Sequence, residues 1–145
     1  GQNNYNIISL VGYYSMLGEK SEPLNDSSFY SLLEECGAWY SDVIYAQMVC
    51  ESNKFTSPLA QNTHNGFGMK KVQGKRNTTQ EVDKEMHGYG VYRNWQLSVI
   101  DRVLWERKIF DNEKPERDVY EKMIGCVYAE DPSYIAKIKT ILKNE

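Results

Sequence analysis

The sequence predicts a predominantly helical α+β fold with one small β-hairpin lobe. Apolar residues recur at three- and four-residue spacing along most of the chain, which is the period of a helical face. Between residues 67 and 92, four glycines and polar spacing replace that period, as in a short hairpin. The length of 145 residues suits one domain, and 41% apolar with 26% charged residues are ordinary globular values.

The first part of the chain predicts two helices. Residues 4–18 carry apolar positions on roughly one helical face, and Gly18 ends that helix. Asp26 or Ser27 can cap a second helix that runs to about Cys36.

A third predicted helix begins at Ser41 as its N-cap and ends near Glu51. Glu51 follows Ile44 by seven residues and Met48 by three, so its carboxyl lies on or beside the apolar stripe. Loss of hydration at such an edge disfavours the charged form and raises the pKa of a carboxyl. A glutamate of the last helical turn that simply reaches solvent is the alternative on helical geometry alone.

The remaining elements follow from turn residues and periodicity. Residues 53–66 are rich in Asn, Ser, Thr and Pro and predict a loop with one short turn over 58–61. Residues 95–110 return to a helical pattern, and Pro115 opens a helix that reaches about Val127. Asp131-Pro132 marks the start of the last helix, with proline at its first position.

Charge and composition exclude some functions. The net charge of −3 argues against nucleic acid as the main partner, because neutralising phosphates needs a basic surface. The local basic run either is a solvated hairpin or flanks an anionic ligand; it contains Lys70, Lys71, Lys75 and Arg76. No apolar run approaches the length of a membrane crossing.

The cysteines and histidines predict no metal site. Cys36, Cys50 and Cys126 form no CxxC pair and have no histidine at zinc spacing. They predict small buried thiols, with one disulfide and one free thiol as the alternative for an exported chain. His64 and His87 lie in polar loops, and we assign neither of them a metal or a catalytic role.

Four short motifs stand in order between residues 45 and 134. They are Ala46-Gln47-x-x-x-Glu51-Ser52, Asn65-Gly66-Phe67-Gly68-Met69-Lys70, Tyr92-Arg93-x-Trp95 with Ser98 and Asp101, and Tyr128-Ala129-Glu130-Asp131-Pro132-Ser133-Tyr134. In this order they resemble the bacterial glucosaminidase domain, glycoside hydrolase family 73. The chain departs from the family's pattern in two places. The segment Asn53-Lys54-Phe55 stands where many members have Gly-Trp-Gly, and Gly66 stands where asparagine or leucine is commoner.

The resemblance implies a lysozyme-like fold, in which a helical core and a small β-lobe flank a cleft. It implies hydrolysis of the β-1,4 bond after N-acetylglucosamine in bacterial peptidoglycan. We therefore expect a single glucosaminidase-like catalytic domain over residues 1–145, a monomer whose partner is the peptidoglycan glycan strand and which needs no cofactor or metal. We also expect an exported protein of the periplasm, cell envelope or extracellular medium, whose signal peptide preceded Gly1.

Glycoside hydrolysis needs a proton for the leaving oxygen and a second group that stabilises or captures the sugar cation. Glu51 matches the family's general acid, and its half-apolar position suits that role. Thr79-Gln80-Glu81 resembles a segment in which the glutamate is a candidate base. The residues that follow depart from the pattern, so Asp83, Glu85 or the substrate's own N-acetyl group are alternatives to Glu81. Carboxyl separations of about 6.5–9.5 Å suit inversion and about 5–5.5 Å suit retention.

The resemblance also suggests residues that line the cleft. Tyr128 matches a tyrosine near the acid, and its hydroxyl would orient the N-acetyl group or a water. Tyr134 is a packing residue or a wall of the cleft. Asn65 and Phe67 match residues that shape the floor under the sugar, with a core position as the alternative for Phe67.

Aromatic residues make up 12% of the chain, and their flat faces suit sugars as well as the core. Tyr92 and Trp95 are candidate stacking platforms for sugar rings, whereas Trp39 and Trp105 are assigned to the core. Two rival functions remain open. One is a muramidase or lytic transglycosylase, since a fold does not fix the bond that is cut. The other is a glycan-binding domain without turnover.

Overall fold

The structure is a computed structural model that describes residues 12, 16–18, 22–74, 77–128 and 133–144. It is mostly helical with one small antiparallel sheet, which confirms the predicted fold class. The helix predicted over residues 4–18 lies largely outside the described residues, although residues 12 and 16–18 are helical. Within these ranges, no helix combines the length and the apolar character that a membrane crossing requires.

The elements are numbered here in chain order. The helices are α1 (Asp26–Glu35), α2 (Ser41–Ser52), α3 (Pro58–Thr63), α4 (Trp95–Ile109), α5 (Arg117–Tyr128) and α6 (Tyr134–Lys143), and the strands are β1 (Glu85–Met86) and β2 (Tyr89–Gly90). In the sheet Met86 pairs with Tyr89, and an isolated bridge joins Tyr89 to Lys70. The predicted hairpin is therefore much shorter than the segment that suggested it. Residues 67–74 lie beside it and are called the extended arm, since the Lys71 N–H donates to the Gly88 carbonyl and the Gly90 N–H donates to the Met69 carbonyl.

Two predicted helix starts are wrong by one or two residues. α1 is capped by Asn25 rather than by Asp26 or Ser27, because Asn25 and Ser28 form a capping box. The Ser28 N–H donates to Asn25 Oδ1 over 2.8 Å, and the Asn25 N–H donates to Ser28 Oγ over 3.0 Å. Ser41 is the first residue of α2, so it cannot cap that helix.

α3 and α6 also differ from their predicted limits. The turn predicted over residues 58–61 is a full short helix, since Ser57 accepts a hydrogen bond from the Ala60 N–H and Pro58 occupies the first position. α6 begins at Tyr134, and the predicted start at Asp131-Pro132 lies outside the described residues.

α4 is the central helix of the fold. Its residues from Gln96 to Glu106 are all buried, so it has no solvated face over three turns. The sequence pattern had suggested one broad apolar side, but Asp101, Arg102 and Glu106 are also fully buried. Charged residues are rarely buried unless they are paired, so their partners matter for stability.

Arg102 and Glu106 form a buried ion pair within α4, with Nη1 and Oε1 3.3 Å apart. Arg102 Nη2 also donates to Gln47 Oε1 over 2.6 Å and to the Tyr120 hydroxyl over 2.8 Å. Glu106 accepts hydrogen bonds from the Tyr120 hydroxyl and from the Trp39 N–H. Burial raises the pKa of Glu106, although the positive charge of Arg102 acts in the opposite direction. This network ties α2, α4 and α5 together.

Candidate active site

A cleft of about 470 Å³ lies where the end of α2 faces the extended arm and the C-terminal parts of α4 and α5. Twelve residues line it: Glu51, Gly68, Met69, Lys70, Lys71, Val72, Gln73, Tyr89, Trp105, Lys108, Val127 and Tyr128. The cleft thus combines one carboxylate, three lysines and three aromatic rings, a composition that suits a polar ligand with flat faces.

Glu51 is half-buried in the last turn of α2 and packs against the arm at Gly68. A Cβ atom added to Gly68 would lie 2.8 Å from Oε2 of Glu51. Gly68 also has a φ of +62°, in the region that favours glycine. Both facts require glycine here, because the arm must pass directly over the carboxylate.

Tyr128 stands beside Glu51 in the cleft. Its hydroxyl donates to Met69 Sδ over 3.3 Å, and its ring packs edge-on against Trp105. Behind it Tyr134 stacks on the Tyr128 ring, with centroids 5.7 Å apart and planes inclined by 10°. Tyr134 is buried, which makes it a packing residue behind the cleft wall.

Tyr134 connects the cleft to the buried network. Its hydroxyl accepts a hydrogen bond from Gln47 Nε2 over 3.2 Å, and the same Gln47 accepts from Arg102. Burial raises the pKa of Tyr134, and the negative charge of Glu51 acts in the same direction. The glutamine of the first motif therefore joins the helix that carries Glu51 to the central helix.

Asn65 and Phe67 hold the arm from behind. Asn65 Nδ2 donates to the carbonyl oxygens of Met69 and Gly90, over 2.8 and 3.0 Å. Its Oδ1 accepts from the N–H groups of Phe67 and Met69. Phe67 is fully buried, as its alternative assignment to the core predicted. These residues fix the loop that presents Gly68, and neither is among those that line the cleft.

Tyr92 and Trp95 occupy positions that do not suit sugar stacking. Tyr92 is 1% exposed and donates from its hydroxyl to Asp101, so its ring offers no free face. Trp95 donates from Nε1 to the Glu22 carbonyl over 3.0 Å and packs against Phe29, away from the cleft residues. The aromatic residues that do line the cleft include Trp105, which is also buried in the hydrophobic core, as predicted.

The candidates for a second carboxylate are not among the cleft-lining residues. The Glu81 N–H donates to the Val91 carbonyl over 2.7 Å, and its own carbonyl accepts from Lys71 Nζ over 2.8 Å. Its backbone therefore borders the cleft. Asp83 is exposed in the turn that precedes β1, and Glu85 is exposed in β1 itself. Among the described residues, Glu51 is the one carboxylate that lines the cleft.

The two departures from the family pattern are in contact in the turn after Glu51. Asn53, Lys54 and Phe55 have positive φ values of 49°, 57° and 64°, conformations that glycine adopts more readily. A Cβ atom added to Gly66 would lie 2.1 Å from Cζ of Phe55. The Phe55 ring thus fills the space that a side chain at position 66 would take.

Metal binding depends on how the histidine, cysteine and acidic side chains are grouped in the part of the chain that the structure describes. No group of three His, Cys, Asp or Glu side chains in that part could hold a metal ion. All three cysteines are free thiols. Cys36 is buried, as predicted for a small buried thiol, and burial raises its pKa to about 12, whereas Cys126 is exposed.

The glucosaminidase family model, described as mannosyl-glycoprotein endo-beta-N-acetylglucosaminidase, matches residues 27–145. The chain belongs to the glucosaminidase family. Comparisons with curated proteins and with solved structures gave no match. Family membership implies a glycoside hydrolase that acts on glycans, and the match extends from the second residue of α1 through α6.

The packing of Gly68 against Glu51 gives a first prediction for this glucosaminidase domain. We expect Gly68→Ala to lower kcat by roughly 10²-fold, because the added methyl group displaces the carboxylate or the arm. Initial rates on a soluble glycan substrate would measure this loss.

Gly88→Ala is the matched control for Gly68→Ala. Gly88 also has a positive φ, of +83°, but a Cβ atom there meets nothing within 4 Å. Both variants should have a free energy of unfolding that is lower by roughly 1 kcal/mol, because alanine is strained at a positive φ. Denaturant unfolding measures this change. Equal rate losses in the two variants would mean that strain, not displacement of Glu51, causes the effect.

Proposed function

We propose that this domain hydrolyses the β-1,4 bond after N-acetylglucosamine in bacterial peptidoglycan, with Glu51 as the general acid. The observation that carries the proposal is the position of Glu51 as a cleft-lining carboxylate, with Gly68 and Tyr128 beside it. The family's description as an endo-beta-N-acetylglucosaminidase supports the choice of bond.

The surroundings of Glu51 suit proton donation to a leaving oxygen. Met69, Trp105 and Val127 give the cleft an apolar wall beside Glu51, and a carboxyl at an apolar wall is the arrangement that glycosidases use for a general acid. Such a positioned acid contributes about 10²–10⁴-fold to a rate.

For the second group we propose the substrate's own N-acetyl oxygen. That oxygen bonds to C1 as the bond from C1 to the next sugar breaks, and the leaving oxygen takes the proton of Glu51. Water then adds to C1, returns a proton to Glu51 and restores the N-acetyl group. To Tyr128, whose hydroxyl donates to Met69 Sδ in the cleft, we assign the role of orienting the N-acetyl group.

The choice of second group gives a prediction about Glu81. We expect Glu81→Gln to keep kcat within about fivefold of the parent, because no described carboxylate other than Glu51 lines the cleft. We also expect retention of configuration at C1, which proton NMR of the fresh product measures. Inversion, together with a loss on Glu81→Gln of about 10²-fold or more, would assign the second role to Glu81.

The bond that is cut decides between this function and its rivals. Cleavage after N-acetylglucosamine leaves that sugar with the new reducing end, so mass analysis of digested peptidoglycan should find reducing N-acetylglucosamine. Reducing N-acetylmuramic acid would indicate a muramidase, and anhydro sugars a lytic transglycosylase. Binding of glycan strands without any new reducing end would indicate a glycan-binding domain.

A further inference from the structure

The charge of the cleft is opposite to that of the whole protein. The chain carries a net charge of −3, yet among the described residues three lysines and a single carboxylate line the cleft. Lys70 and Lys71 come from the arm, and Lys108 comes from α4 on another wall. A cleft lined mainly by one sign of charge concentrates ligands of the opposite sign.

The two lysines of the arm are held at the cleft by specific contacts. Lys70 Nζ lies 4.1 Å from the centroid of the Tyr89 ring, a cation–π contact with another cleft-lining residue. Lys71 Nζ donates one hydrogen bond to the Glu81 carbonyl over 2.8 Å. An ammonium group has three donors, so two remain for a ligand.

Lys108 is exposed and lies one turn after Trp105 along α4, on the same side of the helix. In the described part of the chain, none of the three lysines forms an ion pair with a carboxylate. Their charges are therefore not neutralised within the cleft, except in part by Glu51.

We propose that Lys70, Lys71 and Lys108 form a carboxylate-binding subsite that makes the domain select anionic glycan strands over neutral polymers of N-acetylglucosamine. This inference rests on the proposed function, since it assigns part of the substrate's recognition to the same cleft. The ligand is a carboxylate attached to the glycan, either the lactyl group on the sugar or a carboxylate of an attached peptide.

Three substrates separate these sources. The first substrate is intact peptidoglycan fragments. The second is glycan strands whose peptides have been removed, so that the lactyl carboxylates remain. The third is the same strands after their carboxylates have been amidated. For the parent protein we expect kcat/KM to be higher on both anionic substrates than on amidated strands. A preference for intact fragments alone would assign the ligand to the peptide.

The lysine variants test which residues cause the preference. The measured quantity is the ratio of kcat/KM on anionic strands to kcat/KM on amidated strands. We expect each of the variants Lys70→Gln, Lys71→Gln and Lys108→Gln to lower this ratio by about fivefold, which is the effect of losing one exposed charge pair. The ratio for the parent should also fall as salt is raised from about 0.05 to 0.5 M, because salt screens exposed charges. Lys143→Gln is the control, since it removes one exposed lysine at the end of α6.

Binding separates this proposal from the proposed function. The Glu51→Gln protein, with and without Lys108→Gln, is titrated with anionic and amidated strands by calorimetry. Tighter binding of anionic strands that Lys108→Gln weakens supports the subsite even if no strand is hydrolysed. Equal binding of both strands, or the same loss in the Lys143→Gln control, would overturn it.

Discussion

Glu51→Gln is expected to lower kcat on peptidoglycan by about 10³-fold, the contribution of a general acid. Glutamine keeps the shape of glutamate but cannot donate a proton to the leaving oxygen. Glu51 is half-buried at the end of α2, so the variant should keep its fold and its melting temperature. Release of reducing ends measures the rate, and circular dichroism checks the fold.

A leaving group that needs no proton distinguishes acid catalysis from a structural role. On a synthetic N-acetylglucosaminide with an acidic phenol as leaving group, Glu51→Gln should lose much less activity than on peptidoglycan. Glu34→Gln is the matched control, because Glu34 is an exposed glutamate on α1. Equal rates for Glu51→Gln and the parent on peptidoglycan would remove Glu51 as the acid.

Arg102→Met is expected to lower the free energy of unfolding by about 3–5 kcal/mol, the effect of leaving one partner of a buried ion pair alone. Glu106 would then be fully buried without its cation, held only by the Tyr120 hydroxyl and the Trp39 N–H. Denaturant unfolding measures the change. Arg117→Met is the matched control, since Arg117 pairs with Glu121 at the same spacing but its side chain is 43% exposed. We expect this control to lower the free energy of unfolding by less than about 1 kcal/mol.

The stability of Arg102→Met should also depend on pH in a defined direction. Burial already raises the pKa of Glu106 above its usual 4.5, and removing Arg102 raises it further. The folded state then binds a proton more tightly than the unfolded state, so stability is greatest below pH 4.5 and falls as pH rises. A flat profile would mean that Glu106 does not titrate in the fold.

The double variant Arg102→Met/Glu106→Gln separates charge from packing. It removes both charges, while glutamine still accepts hydrogen bonds. We therefore expect its loss in free energy of unfolding to be smaller than the sum of the losses in the two single variants, by at least about 1 kcal/mol. Additive losses would indicate that the two side chains act independently.

The helices and the position of Glu51 were predictable because both depend on local signals. The stripe from Ile44 to Met48 gave α2 its helical period, and the four motifs singled out Glu51 among many glutamates. The structure adds that two of these motifs form hydrogen bonds that hold the arm and its neighbouring segments in place. Asn65 binds two carbonyl oxygens, and Asp101 accepts from Tyr92.

The parts that sequence analysis missed depend on long-range packing. Arg102 and Glu106 have the spacing of a solvated surface pair, and their burial results from α4 being surrounded on every side. Tyr92 was expected to offer a face for sugar stacking, but it is enclosed, and only the tertiary fold decides which aromatic ring is covered. Trp105 belongs to the core, as predicted, and the fold places part of it in the cleft as well.

The contact between Phe55 and Gly66 makes the two positions energetically dependent on each other. With the Phe55 ring in its present place, a methyl group at position 66 would lie 2.1 Å from Cζ of that ring, so a larger residue at 66 requires the ring to move. A smaller residue at position 55 would free the same space. Substitutions at positions 55 and 66 should therefore have non-additive effects on the free energy of unfolding.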